Sequence, residues 1–173
     1  MTPAGQTSHP PTVLLVCVHN AGRSQLAAGL AHQHAAGAVE VLSAGTDPDD
    51  RVDIVALAAR AELGINRSDQ VPNRLTADLL DRADVVVALK SGLQLPQQPR
   101  GRHESWPLPE PQSWTLEGIR PLRDHLDGCV RQLLDQLIGP NATAGHPDDA
   151  APAGYPQRLH PDAPLTTSQE ETR

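Results

Sequence analysis

Aromatic residues are scarce in this sequence, which has no phenylalanine, one tyrosine and two tryptophans among its 173 residues. The hydrophobic core must therefore be built from valine, leucine, isoleucine and alanine. Cysteine is scarce too: with only Cys17 and Cys129, the chain has no disulfide framework of the kind that small secreted domains use. A chain of this length has room for one domain plus tails and buries enough surface to fold without such staples.

Basic residues are also in deficit, because 14 lysines and arginines face 21 aspartates and glutamates, for a net charge of −7. This balance argues against a nucleic-acid or anionic-membrane surface, both of which need a basic face. No apolar run approaches the roughly 20 residues of a membrane span, and no charged-then-apolar leader opens the chain. We expect a cytoplasmic protein, since a lone reactive thiol stays reduced there.

Apolar patterns alternate between strand and helix along the chain. The continuous apolar runs Thr12–Cys17 and Asp84–Leu89 predict strands that are buried on both faces. Val39–Ala44 and His103–Trp106 predict two further strands. Helical spacing predicts helices at Arg23–His34, Asp53–Leu63, Thr76–Arg82 and Ile119–Leu137. This alternation is typical of an α/β fold with a mostly parallel central sheet.

Composition divides the chain into three parts. Residues 1–11 are polar and proline-containing, and we expect a flexible N-terminal arm. Residues 12–138 carry the strand and helix patterns and form the predicted domain. Residues 139–173 are rich in proline and small residues, so they bury too little apolar surface to offset their ordering entropy, and we expect a disordered tail.

The residues after the first strand form a candidate oxyanion-binding loop that leads directly into a helix. They are Cys17, Val18, His19, Asn20, Ala21, Gly22, Arg23 and Ser24. A loop wrapped over a helix N-terminus presents backbone N–H donors to an anion, and the helix dipole adds to the attraction. Gly22 allows close approach of the backbone, and Asn20 tolerates a left-handed conformation. Because the Gly-x4-Gly-Lys-Ser/Thr pattern is missing, a P-loop nucleotide site is disfavoured.

Two side chains give this loop its predicted chemistry. Arg23 supplies a planar fork that matches two oxygens of a tetrahedral oxyanion. The same positive field stabilises the thiolate of Cys17, and Ser24 can donate a hydrogen bond to it. We therefore predict that Cys17 is a nucleophile for a phosphate-like anion. The histidines lack the spacing of metal ligands, so no metal site is predicted.

The segment Val13–Ala28, VLLVCVHNAGRSQLAA, resembles the active-site stretch of the low-molecular-weight protein tyrosine phosphatase fold, in its arsenate reductase branch. The resemblance extends over about residues 12–137. It implies a three-layer α/β/α domain around a four-stranded, mostly parallel sheet. It also implies a general acid in an Asp-Pro turn before the last helix. Here the matching dipeptide is Glu110-Pro111, which makes Glu110 the candidate acid, with a plain surface glutamate as the alternative.

Thioredoxin-coupled members of this branch carry two more cysteines after the third strand, but the matching segment here, Lys90–Leu95, has none. Cys129 lies among apolar residues of the last predicted helix, and we expect it to be a small buried thiol. An internal disulfide relay is therefore not expected. The resemblance to actinobacterial members implies an external low-molecular-weight thiol, mycothiol or similar, with a redoxin partner and no bound cofactor.

Three functions remain open on the sequence alone. The first is arsenate reduction through a Cys17–arsenate adduct. The second is phosphomonoester hydrolysis through a phosphocysteine, with Glu110 as acid and then base. The third is an oxyanion-binding module of low activity, although pure binding would not need a thiol.

Overall fold

The computed structural model describes residues 9–67 and 70–139. Most of the predicted N-terminal arm, residues 1–8, lies outside the described residues. The predicted tail lies outside them from residue 140 onward. The division into arm, domain and tail therefore stays a prediction.

Four parallel strands form one sheet in the order β2-β1-β3-β4. They are β1 (Thr12–Cys17), β2 (Glu40–Gly45), β3 (Val85–Ala88) and β4 (Arg102–Ser105). β1 is central, and Cys17, its last residue, pairs with Gly45 at the end of β2. Because all strands run the same way, their carboxyl ends share one edge, which is where open α/β sheets bind ligands.

Four helices cover the two faces of the sheet. They are α1 (Arg23–Ala35), α2 (Ile54–Ala61), α3 (Ala77–Arg82) and α4 (Leu116–Ile138). On one face, Val13 and Leu15 of β1 pack in a cluster with apolar residues of α1, α2 and α4. On the other face, Leu14 and Val16 pack with Leu80 of α3. The predicted three-layer α/β/α architecture is confirmed, and the sheet is wholly parallel. No helix in the described part of the chain is both long and apolar enough to span a membrane.

Helix α4 begins three residues earlier than predicted, at Leu116. The Oγ1 of Thr115 accepts a hydrogen bond of 3.2 Å from the backbone N–H of Gly118 and so caps the helix. Pro121 lies inside the helix, two residues after the predicted start at Ile119. Leu116 packs against the core and lies three residues before Ile119, so the apolar spacing extends to the true start and the prediction began about one turn late.

An ion-pair network fastens α4 to the residue that follows α2. Glu62 accepts hydrogen bonds from Arg120 Nη2 at 2.6 Å and from Arg123 Nη1 at 2.5 Å. The hydrogen bonds from Arg120 and then Arg123 lower the pKa of the Glu62 carboxyl from its usual 4.5 to about 2. Arg123 also donates to the carbonyl of Ala59 at 3.2 Å, so one buried guanidinium holds two points of the α2 region.

This network predicts acid sensitivity of the fold. The folded-state pKa of Glu62 is depressed, so its contribution is fully present above about pH 4.5 and is lost as the pH falls towards 2. We expect the variant Glu62→Gln to be less stable than wild type at pH 7. Its free energy of unfolding should also fall less steeply between pH 4.5 and 2. Urea titrations at several pH values measure both effects, with a variant of the exposed Asp50, Asp50→Asn, as the control. Parallel pH curves for wild type and Glu62→Gln would contradict the assignment.

Candidate functional site

Cys17 lies where the central strand ends, and only 6% of its surface is exposed. The neighbouring β2 approaches so closely at this point that a Cβ on Gly45 would lie 2.4 Å from the carbonyl oxygen of Val18. Only glycine allows this approach, since nearer than about 3 Å the backbone would have to shift. Gly45 therefore helps to shape the loop from a neighbouring strand.

Two hydrogen-bond donors converge on the sulfur of Cys17. The backbone N–H of Asn20 donates to Sγ at 3.2 Å, and Ser24 Oγ lies 3.0 Å from Sγ. Asn20 Nδ2 donates to the same Ser24 Oγ at 2.6 Å, which leaves the hydroxyl proton of Ser24 free to point at the sulfur. Both donors face Sγ, so the loop holds the sulfur in a fixed position at the end of β1.

Asn20 holds the loop in shape from the inside. It is fully buried and adopts a left-handed backbone conformation with φ of 50°. Its Oδ1 accepts hydrogen bonds from the backbone N–H of Asn73 at 2.8 Å and from Gln25 Nε2 at 3.4 Å. The left-handed conformation agrees with the tolerance for it that the sequence indicated at Asn20. The sequence did not predict Asn73, which lies 53 residues away.

A second loop, residues 46–53, turns the carbonyls of the Cys17 loop outward. The N–H groups of Thr46, Asp47, Asp49 and Asp53 donate in turn to the carbonyl oxygens of Cys17, Val18, His19 and Ala21, over distances of 2.8–3.2 Å. With these carbonyls occupied on the outside, the opposite side of the loop presents N–H groups. This role was not predicted from the sequence, where the available signal is that residues 46–53 directly follow β2.

The N-terminus of α1 lacks the side-chain cap that the other three helices have. Asp53, Thr76 and Thr115 cap α2, α3 and α4, whereas Gly22 makes no side-chain cap and the first turn of α1 has no acidic residue. The first N–H groups of a helix have no acceptor within the helix. At α1 they are thus available to an anion beside Cys17.

Arg23 and Glu110 meet at the mouth of the loop, 87 residues apart in sequence. Arg23 Nη2 donates to Glu110 Oε2 at 2.7 Å. The arginine side chain is only 15% exposed and the glutamate is 82% exposed, so the guanidinium is held in place while the carboxylate is free to move. The structure thus brings together the predicted anion-binding fork and the predicted acid.

The two tryptophans have different places. Trp114, 45% exposed, packs on the loop: a Cβ on Gly22 would lie 2.6 Å from its ring. Trp106 packs against the core beside β4 and donates from Nε1 to Glu104 at 2.9 Å. Trp114 thus lines the site mouth, whereas Trp106 covers the sheet edge.

His19 contributes its backbone to the loop and directs its ring outward. The ring is 57% exposed, with Nδ1 3.0 Å from the carbonyl oxygen of Asp47 and 3.6 Å from the carboxylate of Asp49. It therefore steadies residues 46–53 and does not line the anion seat. Within residues 9–67 and 70–139, no three His, Cys, Asp or Glu side chains cluster as a possible metal site.

Cys129 is half-buried, whereas the sequence predicts a small buried thiol. It lines a cavity of about 370 Å³ beside Trp106 and His125. Partial burial raises the pKa of the Cys129 thiol. Since the thiolate is the nucleophile in disulfide exchange, this environment does not activate Cys129. The segment that would carry relay cysteines instead packs Leu93 and Leu95 against the α3 side of the core.

In this chain, the central strand of a parallel sheet ends in a cysteine, and the helix that follows has no side-chain cap. These features define a class of α/β proteins in which a thiol lies against a loop suited to bind an anion. The chain belongs to the low molecular weight phosphotyrosine protein phosphatase family, which it matches over residues 12–141. The predicted family is thereby confirmed.

Individual relatives are named as reductases or phosphatases. The "Glutaredoxin arsenate reductase" of Synechocystis is 34% identical over 129 residues, which cover 73% of this chain and 95% of that one. A thioredoxin-dependent arsenate reductase of Corynebacterium glutamicum has a TM-score of 0.67 and 33% identity, covering 76% of this chain but only 64% of that longer one. An arginine phosphatase from Geobacillus stearothermophilus has a TM-score of 0.62 and 26% identity, with coverages of 74% and 93%. The chain is an enzyme of the type these relatives represent, as predicted.

Proposed function

We propose that this enzyme reduces arsenate in the cytoplasm, with Cys17 as nucleophile and an external low-molecular-weight thiol as the source of the second sulfur. The observation that carries the proposal is the pair of donors on Cys17 Sγ, because a sulfur so held beside an uncapped helix is suited to attack a bound oxyanion. The reductase branch is supported by the Synechocystis and Corynebacterium relatives, both named as arsenate reductases.

The first step forms a covalent adduct. The N–H groups of residues 18–24 and the fork of Arg23 hold the arsenate oxygens, and Glu110 gives up its contact with Arg23 and takes up a proton from solvent. The Cys17 thiolate attacks arsenic, and an As–O bond breaks. The departing hydroxyl takes a proton from Glu110 and leaves as water.

The second step transfers two electrons to arsenic. The external thiolate attacks Cys17 Sγ, a disulfide bond forms, and the electron pair of the S–As bond stays on arsenic, which leaves as arsenite. A redoxin thiol then attacks the mixed disulfide and regenerates the Cys17 thiolate. We take the external thiol to be mycothiol or a similar compound, with a matching redoxin, in line with the resemblance to actinobacterial members.

Phosphomonoester hydrolysis is the second candidate, and the contact between Arg23 and Glu110 is what favours it. A carboxylic acid at the mouth of the loop is suited to protonate the leaving alcohol of a phosphoester. The water that releases phosphate from Cys17 would then give its proton to the same carboxylate.

One comparison of substrates tests the proposal. The purified full chain is given arsenate with mycothiol and a redoxin, and in parallel an aryl phosphate and a phosphoarginine peptide. We expect catalytic release of arsenite, with one disulfide formed per arsenite. Phosphate release without any arsenite would replace the reductase by the phosphatase. Loss of both activities, with arsenate still protecting Cys17 from alkylation, would leave a binding module.

A further inference from the structure

Arsenite formation needs a second sulfur close to Cys17, and the chain does not supply one. Of its two cysteines, only Cys17 lies in the loop. Cys129 lies 13 residues into α4, about 20 Å along the helix axis from its start, in a different cavity. If the proposed function holds, the external thiol must therefore occupy a place of its own beside the loop.

We propose that this thiol binds in the cavity between residues 109–113 and the first turns of α4, and that the cavity selects a thiol without negative charge. The cavity measures about 610 Å³, within the roughly 300–1,000 Å³ of small-molecule sites. Its lining includes Glu110, Gln112, Ser113 and Glu117.

The cavity adjoins the anion loop at two points. Glu110 lines the cavity and also contacts Arg23 at 2.7 Å. Trp114, which packs on Gly22, stands between the lining residues Ser113 and Thr115. A molecule held in the cavity therefore lies against the same short segment that forms the mouth of the Cys17 loop.

The walls of the cavity are held in shape before a ligand arrives. Ser113 Oγ and Thr115 Oγ1 are hydrogen-bonded at 2.9 Å. A Cβ on Gly118 would lie 2.4 Å from the carbonyl oxygen of Ser113, so the loop packs directly on the helix. Pro109 and Pro111 restrict the backbone of the same loop. Such preorganisation lowers the entropic cost of binding.

The lining chemistry specifies the class of thiol. The amide of Gln112 and the hydroxyls of Ser113 and Thr115 can bond hydroxyl and amide groups, and the proline rings offer apolar faces. Glu110 and Glu117 are the only charged residues of the lining, and both are negative. Arsenate overcomes the overall negative charge through the N–H groups of the Cys17 loop and through Arg23. A carboxylate on the thiol would instead face the two glutamates of the lining, because the Arg23 guanidinium is already engaged by Glu110. The cavity thus fits a neutral thiol rich in hydroxyl and amide groups and disfavours an anionic one such as glutathione.

The test uses mixed-disulfide formation on Cys17, which needs no arsenate. The full chain with Cys129→Ala is mixed with either of two symmetrical disulfides, that of N-acetylcysteine amide, which is neutral, or that of N-acetylcysteine, which is anionic. Cys17 attacks either one, forms a mixed disulfide and releases one thiolate. Intact-mass spectrometry follows the product. The rate of Cys17 with the neutral disulfide is divided by its rate with the anionic disulfide. This ratio is then divided by the same ratio measured with free 2-mercaptoethanol, which corrects for the different intrinsic reactivities of the two disulfides.

We expect the rate with the neutral disulfide to saturate with concentration. At low ionic strength, its corrected rate should be about tenfold higher than that of the anionic disulfide, and this rate ratio should be smaller at high salt. Glu117→Gln should narrow that ratio by about fivefold, the scale of one exposed charge pair. Gln112→Trp fills the cavity and should slow the neutral reagent about tenfold. The matched control Gln132→Trp fills the cavity beside residue 129 instead and should change nothing. Neither Gln112→Trp nor Gln132→Trp should alter the protection of Cys17 from alkylation by bound arsenate.

Two results would overturn the thiol site. Equal corrected rates for both reagents, unaffected by Gln112→Trp, would mean that the cavity is not used. If Gln132→Trp slowed the neutral reagent and Gln112→Trp did not, the thiol site would be the cavity beside Cys129 instead. Failure of the proposed function has a different signature, because arsenite would then be absent with every thiol while the selectivity for the neutral disulfide remained.

Discussion

Replacing Cys17 by serine should abolish turnover and leave the fold intact. Serine keeps the size of the side chain and can still accept the N–H of Asn20, which lies 3.2 Å from the present sulfur. Its hydroxyl, however, is not ionised at neutral pH, so the loop would hold a hydroxyl donor in place of the proposed nucleophile. We expect the arsenite release rate to fall by at least about a thousandfold, the scale found when a covalent nucleophile is removed.

The measurement pairs a rate with a melting temperature. The Tm of Cys17→Ser should stay within about 2 °C of wild type, because 1 kcal/mol shifts the Tm of a chain of this size by about 2–4 °C. Cys129→Ala serves as the control and should reduce the rate less than twofold. A Cys17→Ser variant with near-normal turnover would mean that the nucleophile lies elsewhere. A collapse in Cys129→Ala with an unchanged Tm would instead revive an internal relay.

Most of the fold could be predicted from local sequence, because its two inner strands, β1 and β3, are buried on both faces. The run Thr12–Cys17 is β1 to the residue, and the predicted Asp84–Leu89 extends only one residue beyond β3 at each end. Two of the predicted helices start at Asp53 and Thr76, which are the N-cap residues of α2 and α3 and accept backbone hydrogen bonds there. The start of α4 was predicted three residues too late, although Leu116 lies at helical spacing before Ile119 and threonine is a typical N-cap residue.

The candidate site divides between local and long-range residues. Cys17, Asn20 and Ser24 are close in sequence, so a strand–loop–helix pattern was enough to place them together. Asn73 and residues 46–53 reach the loop through backbone hydrogen bonds, to which side-chain identity gives no signal. Glu110 was found only through a family resemblance, because its contact with Arg23 spans 87 residues.

Arg23 should be the second most sensitive position of the site. Its guanidinium is the one cationic group that the structure places at the mouth of the loop beside Glu110, and its side chain is only 15% exposed. Loss of one donor to a developing oxyanion costs on the order of 10²–10³-fold in rate, so we expect about a thousandfold loss of kcat/KM for Arg23→Ala, which removes two donors and a charge. Arg23→Lys keeps the charge but not the planar fork, and a loss of about a hundredfold is expected.

Glu110→Gln is the comparison that separates binding from chemistry. In the present structure the Glu110 carboxylate occupies the fork that arsenate needs, so removing its charge should tighten arsenate binding, measured as protection of Cys17 from iodoacetamide. Turnover should nevertheless slow, because the proton for the departing oxygen is lost, by about 10²-fold, the lower end of the range for a general acid. Arg23→Ala should weaken arsenate binding and slow turnover, whereas Glu110→Gln should strengthen arsenate binding and slow turnover. Weaker arsenate protection in Glu110→Gln would mean that this carboxylate supports the anion seat and does not compete for it.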